Sequence, residues 1–416
     1  MRPSYRVSLL SAGLAVLLYT VAGAKNASSK RTDKNYSSID SITKDMLPPF
    51  LQSSLSFFGV DAYRLNTRLN ALYALYSIDD ATIDSYMNSY ILFDGDWSNE
   101  NGKNEDNIID YYQVLNHLCA LGNVEKMYIP PLRNPNVGIT ANQELFELKM
   151  VADIQAFGSN KKVLDVGCGR GRIAMHTARV TGAHVSGINL DPSQIANAKN
   201  FAERTGLKDQ THFQVSSLND PLPFPDETFD AGYEVQAFTY AKDKDAVFRE
   251  IYRVLKPGAR FSYLDWVLLD NYDPNNATHV DHVRRTMPFI GAVDNPRYQE
   301  IEKAMENAGF QIILSEDASI GGHQAPLINM ERRTYWWLRF FARAFLPKKF
   351  MKMLRRLRED AESFVAADEL RIATTSYQIV CEKPLKEKPA EVEEPVEAEK
   401  PIEEKPVQEE AAEAEL

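Results

Sequence analysis

Asp165, Gly167, Gly169 and Gly171 fall in one short run, VLDVGCGRG at 163–171. Glycines at alternate positions let a backbone turn sharply and come close to a ligand, and an acid two residues ahead of the first can face a positive charge. Dinucleotide sites space their glycines G-x-G-x-x-G around a pyrophosphate. Here the third glycine comes one residue sooner, which suits S-adenosylmethionine: no pyrophosphate needs a cradle, and Asp165 stands opposite the ammonium of the methionine moiety. Farther along, Asn189 and Asp191 close the next apolar run, where a ribose-binding group belongs, and Gln194 follows one helical turn later. Ser217 and Leu218, after a third run, are placed to flank the adenine. Each has a plainer reading as well: Asn189 closing a turn, Gln194 solvated in a first helical turn. Cys168, inside the glycine run, reads as a small side chain in a tight turn.

Glu234 ends a fourth apolar run, at the edge where open α/β sheets place their ligands. A carboxylate there could stabilise a sulfonium and later accept a proton, or simply pair with a neighbouring base. His279 and His282 lie one helical turn apart without a third ligand nearby, so the expected metal is none. No G-x-S-x-G elbow is present.

These residues need a scaffold that presents strand ends side by side. The hydrophobic pattern predicts strands at Val163–Val166, Ala183–Asn189, Thr211–Ser216, Phe229–Glu234, Arg260–Leu269 and Phe310–Glu316, with helices at Ile173–Val180, Lys244–Leu255 and Pro296–Ala308 between them. Lys256-Pro257-Gly258 reads as a helix stop, and Ile372–Glu382 as an antiparallel closing strand. Strict alternation argues for an α/β, Rossmann-like fold: a mostly parallel seven-stranded sheet with helices on both faces. Upstream, helical periodicity at Asp61–Phe93, Ile108–Leu121 and Ala141–Phe157 gives an N-terminal helical extension, the last two separated by the Pro-rich stretch Ile129–Val137.

Lys and Arg total 47 against 58 acids, a net charge of −11, and 13 Glu against 5 Lys in the last 35 residues account for −8 of it. The remaining −3 carries no nucleic-acid footprint. Cys119, Cys168 and Cys381 form neither a disulfide framework nor a zinc site, which favours a reducing compartment. Arg2 and Arg6 precede an apolar run from Val7 to Ala24. That run is either a signal peptide cleaved after Ala24 or a signal anchor; Lys25, Lys30, Arg31 and Lys34 behind it favour an anchor with the catalytic domain facing the cytosol, the endoplasmic reticulum being the expected membrane. Sequons stand at Asn26, Asn35 and Asn276.

The expected organisation is an anchor or signal at 1–24, a linker at 25–60, a helical cap at 61–157, the cofactor-binding core at 158–320, a lid at 321–370, the closing strand at 371–383 and a disordered acidic tail at 384–416. The lid carries Tyr335-Trp336-Trp337-Leu338-Arg339-Phe340-Phe341, followed by Phe345, Phe350 and Met351 with Arg343, Lys348, Lys349 and Lys352 interleaved. Such a segment lies well at a membrane interface, and it equally suits a helix packed over the core.

Two strings carry a family resemblance. The first is Phe248-Arg249-Glu250-Ile251-Tyr252-Arg253-Val254-Leu255-Lys256-Pro257-Gly258, shared by many class I methyltransferases. The second runs from Leu264 to Asn276 in a W-x-x-x-D-x-Y-D-x-x-N pattern and resembles the sterol 24-C-methyltransferases. Gln143 to Ile154 and Gln194 also look similar to cyclopropane fatty-acid synthases. The resemblance covers roughly Asn142 to Pro384. It implies a membrane-associated enzyme that methylates a lipid alkene, most simply carbon 24 of a sterol side chain. Glu234 is the implied base, and the aromatic faces of Tyr111, Tyr112 and Tyr240 would meet a carbocation. The family's Y-E-Y-G-W-G-x-S-F-H-F segment is replaced by Tyr111-Tyr112-Gln113-Val114-Leu115-Asn116-His117, and the stretch after Glu234 lacks the family's Ala-x-x-His. Methylation or cyclopropanation of another lipid, methylation of a phenol or amine headgroup, and an inactive cofactor-binding scaffold are the other readings.

Overall fold

Short runs of β-branched and apolar residues bounded by glycine, proline or polar turns form the strands of a single sheet. They are β1 (Lys162–Val166), β2 (His184–Asn189), β3 (Thr211–Val215), β4 (Phe229–Val235), β5 (Leu255–Leu268), β6 (Gln311–Asp317) and β7 (Ala373–Glu382). The structure, a computed structural model, describes residues 125–330 and 350–385 together with Asp84, Ile108 and Tyr112; among 350–357 only the Arg355 side chain is included. The chain divides into two units, Met1–Pro384 and Leu385–Leu416, and the account below is of the first.

Strand order is β3-β2-β1-β4-β5-β7-β6. The first five strands are parallel, and β7 slots between β5 and β6, antiparallel to both. The chain leaves β1 toward β2 and β3, then returns on the other side of β1 to form β4. The carboxyl ends of β1 and β4 therefore open a crevice at the point where strand order reverses. This is the α/β architecture the alternation predicts.

Helices α1 (Ile139–Ile154), α2 (Arg172–Thr181), α3 (Pro192–Thr205), α4 (Lys244–Val254), α5 (Ala277–Ile290), α6 (Tyr298–Asn307) and α7 (Phe350–Glu369) cover the sheet and its edge. Caps explain several boundaries. Asp243 starts α4 by accepting the Ala246 N–H, and Asp191 starts α3 by accepting the Ser193 N–H just ahead of Pro192. Val247, Phe248, Ile251 and Val254 recur along one face of α4 and are all buried against the sheet. There Phe248 meets Phe238, Phe261 and Tyr263 with ring centroids 4.8, 6.4 and 6.5 Å away. On the opposite face Phe146, Met150, Val163, Met175 and Tyr233 form a second core.

Two expectations change. Lys256-Pro257-Gly258 does not separate α4 from the next strand, because α4 runs directly into β5 at Leu255. Pairing with β4 shifts there as a bulge, and Gly258, at φ +77°, turns its N–H to Lys383 O at 2.7 Å. Helix α5 was not anticipated. Asn276 caps it, and its buried face is only Val283, Thr286, Met287 and Pro288. It packs against α7, with the Phe289 and Phe364 rings 5.8 Å apart. The expected helices at Asp61–Phe93 and Ile108–Leu121, the apolar run at 7–24, Cys119, the sequons at Asn26 and Asn35, the acidic tail past Leu385 and the lid at 331–349 lie outside the described residues, apart from Asp84, Ile108 and Tyr112. Among the described residues no helix is long and apolar enough to cross a membrane.

Phe248 is fully buried at the centre of its aromatic cluster. Phe248→Ala should lower unfolding free energy by about 3–5 kcal/mol, read from urea melts, because the surrounding rings cannot collapse into the cavity.

Candidate functional site

A cleft of about 1050 Å³, open to solvent, lies over the carboxyl ends of β1, β2 and β4. Its floor is the glycine turn. Gly167 N–H and Cys168 N–H both donate to Ile188 O, at 3.0 and 2.9 Å, fastening the turn to the end of β2. Gly167 has φ +78°, and a Cβ added there would stand 2.3 Å from the Ala237 Cβ. Gly171, at φ +70°, opens α2, and a Cβ there would meet Phe213 and Ala198 at under 3 Å. The turn thus admits no side chain at either position.

Asn189, Asp191, Gln194, Ser217, Leu218, Gly167 and Gly169 all line this cleft, as their spacing suggests. Their roles divide more finely. Asn189 Oδ1 accepts the Gly169 N–H at 3.3 Å, so the strand-end amide braces the glycine turn. Asp191 Oδ1 accepts the Ser193 N–H and hydroxyl at 2.7 and 2.6 Å. Its Oδ2 is buried in the cleft wall with no hydrogen-bond donor among the described residues. Ser217 Oγ accepts the Asn219 N–H at 3.1 Å.

Three expected residues do not line the cleft: Gly171, which packs behind the turn on Phe213 and Ala198, Asp165 and Glu234. Asp165 does not line the cleft; it lies beneath the glycine turn, where Oδ2 accepts the Tyr233 hydroxyl at 3.0 Å. Burial pushes its pKa up to about 7, opposed in part by the Tyr233 bond. Glu234 is also off the lining and fully buried. Its Oε2 accepts the Ala237 N–H at 2.9 Å and its Oε1 the Leu264 N–H at 3.1 Å, so the carboxyl holds the backbone that folds over it and presents no face to a ligand. Asp265 completes the arrangement, Oδ2 accepting the Phe238 and Thr239 N–H groups at 2.9 and 3.3 Å. Burial raises both carboxyls, Asp265 to about 7, and the charge of Asp265 raises Glu234 further. Tyr111 lies outside the described residues.

Tyr112 and Tyr240 do meet on the cleft, their hydroxyls 3.1 Å apart and their rings edge to face at 6.3 Å. The Tyr240 hydroxyl donates to Gly291 O at 2.7 Å. A carbonyl can only accept, so the shared hydrogen in the tyrosine pair belongs to Tyr112.

One wall was missed altogether. Glu125, Lys126, Met127 and Tyr128 line the cleft as part of a strap that crosses in front of α1. Glu147, fully buried on α1, binds Lys126 Nζ through both oxygens at 2.7 and 2.6 Å and accepts the Tyr128 hydroxyl at 2.8 Å; His176 Nδ1 meets its other edge. The available signal was Asn142, Gln143 and Glu147 standing on the same helix as Phe146, Met150 and Val151, polar groups on a face that must be buried.

Residues 164–263 match the family model described as a methyltransferase domain. A botryococcene C-methyltransferase from Botryococcus braunii is 31% identical over 268 residues, covering 61% of this chain and 69% of that protein. The chain belongs to the class I S-adenosylmethionine-dependent methyltransferases. A sterol 24-C-methyltransferase from Neurospora crassa is 34% identical over 250 residues, which is 54% of this methyltransferase and 65% of that protein. The chain thus spans just under two thirds of the length of that sterol relative. A solved geranyl diphosphate C-methyltransferase from Streptomyces coelicolor superposes with a TM-score of 0.52 at 16% identity, covering 68% of this chain and 99% of that one, and shares the fold.

The cleft fits S-adenosylmethionine on the chemistry of its own residues. A buried carboxylate oxygen without a donor costs about 1–3 kcal/mol. The Asp191 Oδ2 calls for a hydroxyl, and the ribose of the cofactor carries two. Gly167 and Gly169 line the cleft without side chains of their own, and Leu218 is an apolar surface for its adenine. Asp191→Ser keeps a capping oxygen for α3 while deleting the orphaned one. It should weaken S-adenosylhomocysteine binding about tenfold to hundredfold in calorimetry, with a small change in melting temperature.

The raised carboxyls of Asp165, Asp265 and Glu234 make the folded methyltransferase hold protons that the unfolded chain releases near pH 4. The folded state binds more protons between about pH 4 and pH 7, so stability should fall as pH rises through that window. Asp230, Glu250 and Asp281 are shifted down and titrate below the window. Urea midpoints should be higher at pH 5 than at pH 8; the reverse order would rule the arrangement out.

Proposed function

We propose that the chain is a C-methyltransferase acting on the isolated double bond of a lipid, with a sterol side chain at carbon 24 as the leading substrate. The carrying observation is the Tyr112–Tyr240 pair on the cleft, ordered by the Tyr240 bond to Gly291 O. Support for the substrate class comes from relatives named as sterol and botryococcene C-methyltransferases. Bound in the cleft, S-adenosylmethionine supplies an electrophilic methyl group, whose transfer to an alkene leaves positive charge on the lipid.

The protein's task is to hold that charge away from water. Ring faces of Tyr112 and Tyr240 attract a cation through their negative quadrupole. The strap at 125–128, fixed by Glu147, walls the cleft. Glu234 serves by holding the backbone of the loop that carries Tyr240. Membrane association through residues 7–24 and the basic aromatic lid, with the catalytic domain on the cytosolic side of the endoplasmic reticulum, belongs to the same proposal and rests on the sequence pattern.

The deciding experiment incubates the full chain in lipid or detergent with methyl-labelled S-adenosylmethionine and a panel of acceptors: a sterol with a side-chain double bond, its saturated counterpart, an acyclic terpenoid alkene, an unsaturated phospholipid and an amine headgroup. Label should enter a carbon of the unsaturated sterol and not the saturated one. Transfer to nitrogen or oxygen, or to no acceptor while S-adenosylhomocysteine still binds, would overturn the reading. On the accepted lipid, Tyr112→Phe should lower kcat about tenfold to hundredfold with KM little changed, since the ring stays and only the oxygen is lost.

A further inference from the structure

Among the described residues, four other than glycine adopt the left-handed backbone region, and of these Gln236 alone lines the cleft. Its φ is +53°, immediately after β4. A long side chain in that region is strained and persists where its surroundings over-determine it. The surroundings here are specific. Gln236 N–H donates to Leu264 O at 2.8 Å, which fixes the backbone. Its Oε1 accepts the Ile129 N–H at 3.2 Å, while Nε2 donates to Ile129 O at 2.9 Å and to Thr375 O at 2.9 Å. The amide thus pairs with both polar groups of one strap residue, as a neighbouring strand would, and uses its remaining hydrogen on β7.

We propose that Gln236 is a positioning residue for the methyl-donor site: its amide joins the strap to the loop after β4 and so sets the distance between two facing walls of the cleft. On one side of the joint, Ile129 continues from Lys126, Met127 and Tyr128. On the other, Gln236 continues into Ala237, whose Cβ closes on Gly167, and then to Tyr240. The left-handed turn is what aims the side chain at the strap while the backbone keeps its bond to β5. Gln324 also grips the strap, donating to Ile129 O at 3.3 Å and to Pro130 O at 2.9 Å and accepting the Thr375 N–H at 3.2 Å, yet it is fully buried and lines no part of the cleft. Gln324 therefore fastens the strap to the scaffold, whereas Gln236 fastens it to the cleft.

The inference rests on the cofactor reading of the cleft and not on the lipid, so its test needs no acceptor. Gln236→Asn keeps an amide and a residue that tolerates the left-handed turn, but falls one methylene short of Ile129. S-adenosylhomocysteine should bind it about tenfold more weakly than the wild-type chain, at nearly unchanged melting temperature. Gln324→Leu, by contrast, should lower the melting temperature while moving affinity much less. If Gln236→Asn binds like the wild type, or if both variants lose affinity in step with stability, the positioning role is wrong. A wild-type chain that fails to bind S-adenosylhomocysteine would instead overturn the cofactor reading itself.

Discussion

The backbone that leaves β4 is held by two buried carboxyls, and the site is built around that constraint. Glu234 and Asp265 sit on adjacent strands and between them accept the N–H groups of Ala237, Phe238, Thr239, Leu264 and Trp266. The Ala237, Phe238 and Thr239 donors lie beyond the end of β4, where the sheet offers them no acceptor. With the donors anchored from below, Ala237 presses onto Gly167 and Tyr240 stands over the cleft. Removing water from two acids raises their pKa values, and the fold accepts that cost because the loop has no other source of acceptors.

Much of this was legible because buried parallel strands write themselves as unbroken apolar runs. Six of the seven strands begin or end within a residue or two of the hydrophobic pattern. The exception, the start of β5, is instructive: Lys256-Pro257-Gly258 has every local mark of a stop, and only pairing with β4 across a bulge makes it part of a strand. Helix α5 escaped notice because its buried face is short and contains Pro288.

The site was legible by location more than by role. Strand-end position correctly brings Asn189, Asp191, Gln194 and Ser217 to the cleft, but sequence does not say which polar atom the local turn will use first. Asn189 is taken by Gly169, and half of Asp191 by its own helix cap. Glu234 illustrates the same limit more sharply, since its exposure depends on whether the following residues fold away from it or over it. The strap was invisible because Ile129–Val137 has the composition of a linker. Its place as a wall is created by side chains distant in the chain, Gln236, Gln143 and Glu147 among them.

The bond from the Tyr240 hydroxyl to Gly291 O ties the cleft to the far end of α5. Helix α5 packs against α7, the helix that follows the basic, aromatic stretch at 331–349 in the sequence. The hydrogen bond to Gly291 O therefore links the α5–α7 pair to the polarity of the tyrosine pair. Any shift of the α5–α7 pair would take the acceptor from the Tyr240 hydrogen, and the Tyr112 hydrogen would lose its assigned direction with it. The same contact that orders the tyrosines makes them report on whatever the helical pair is resting against.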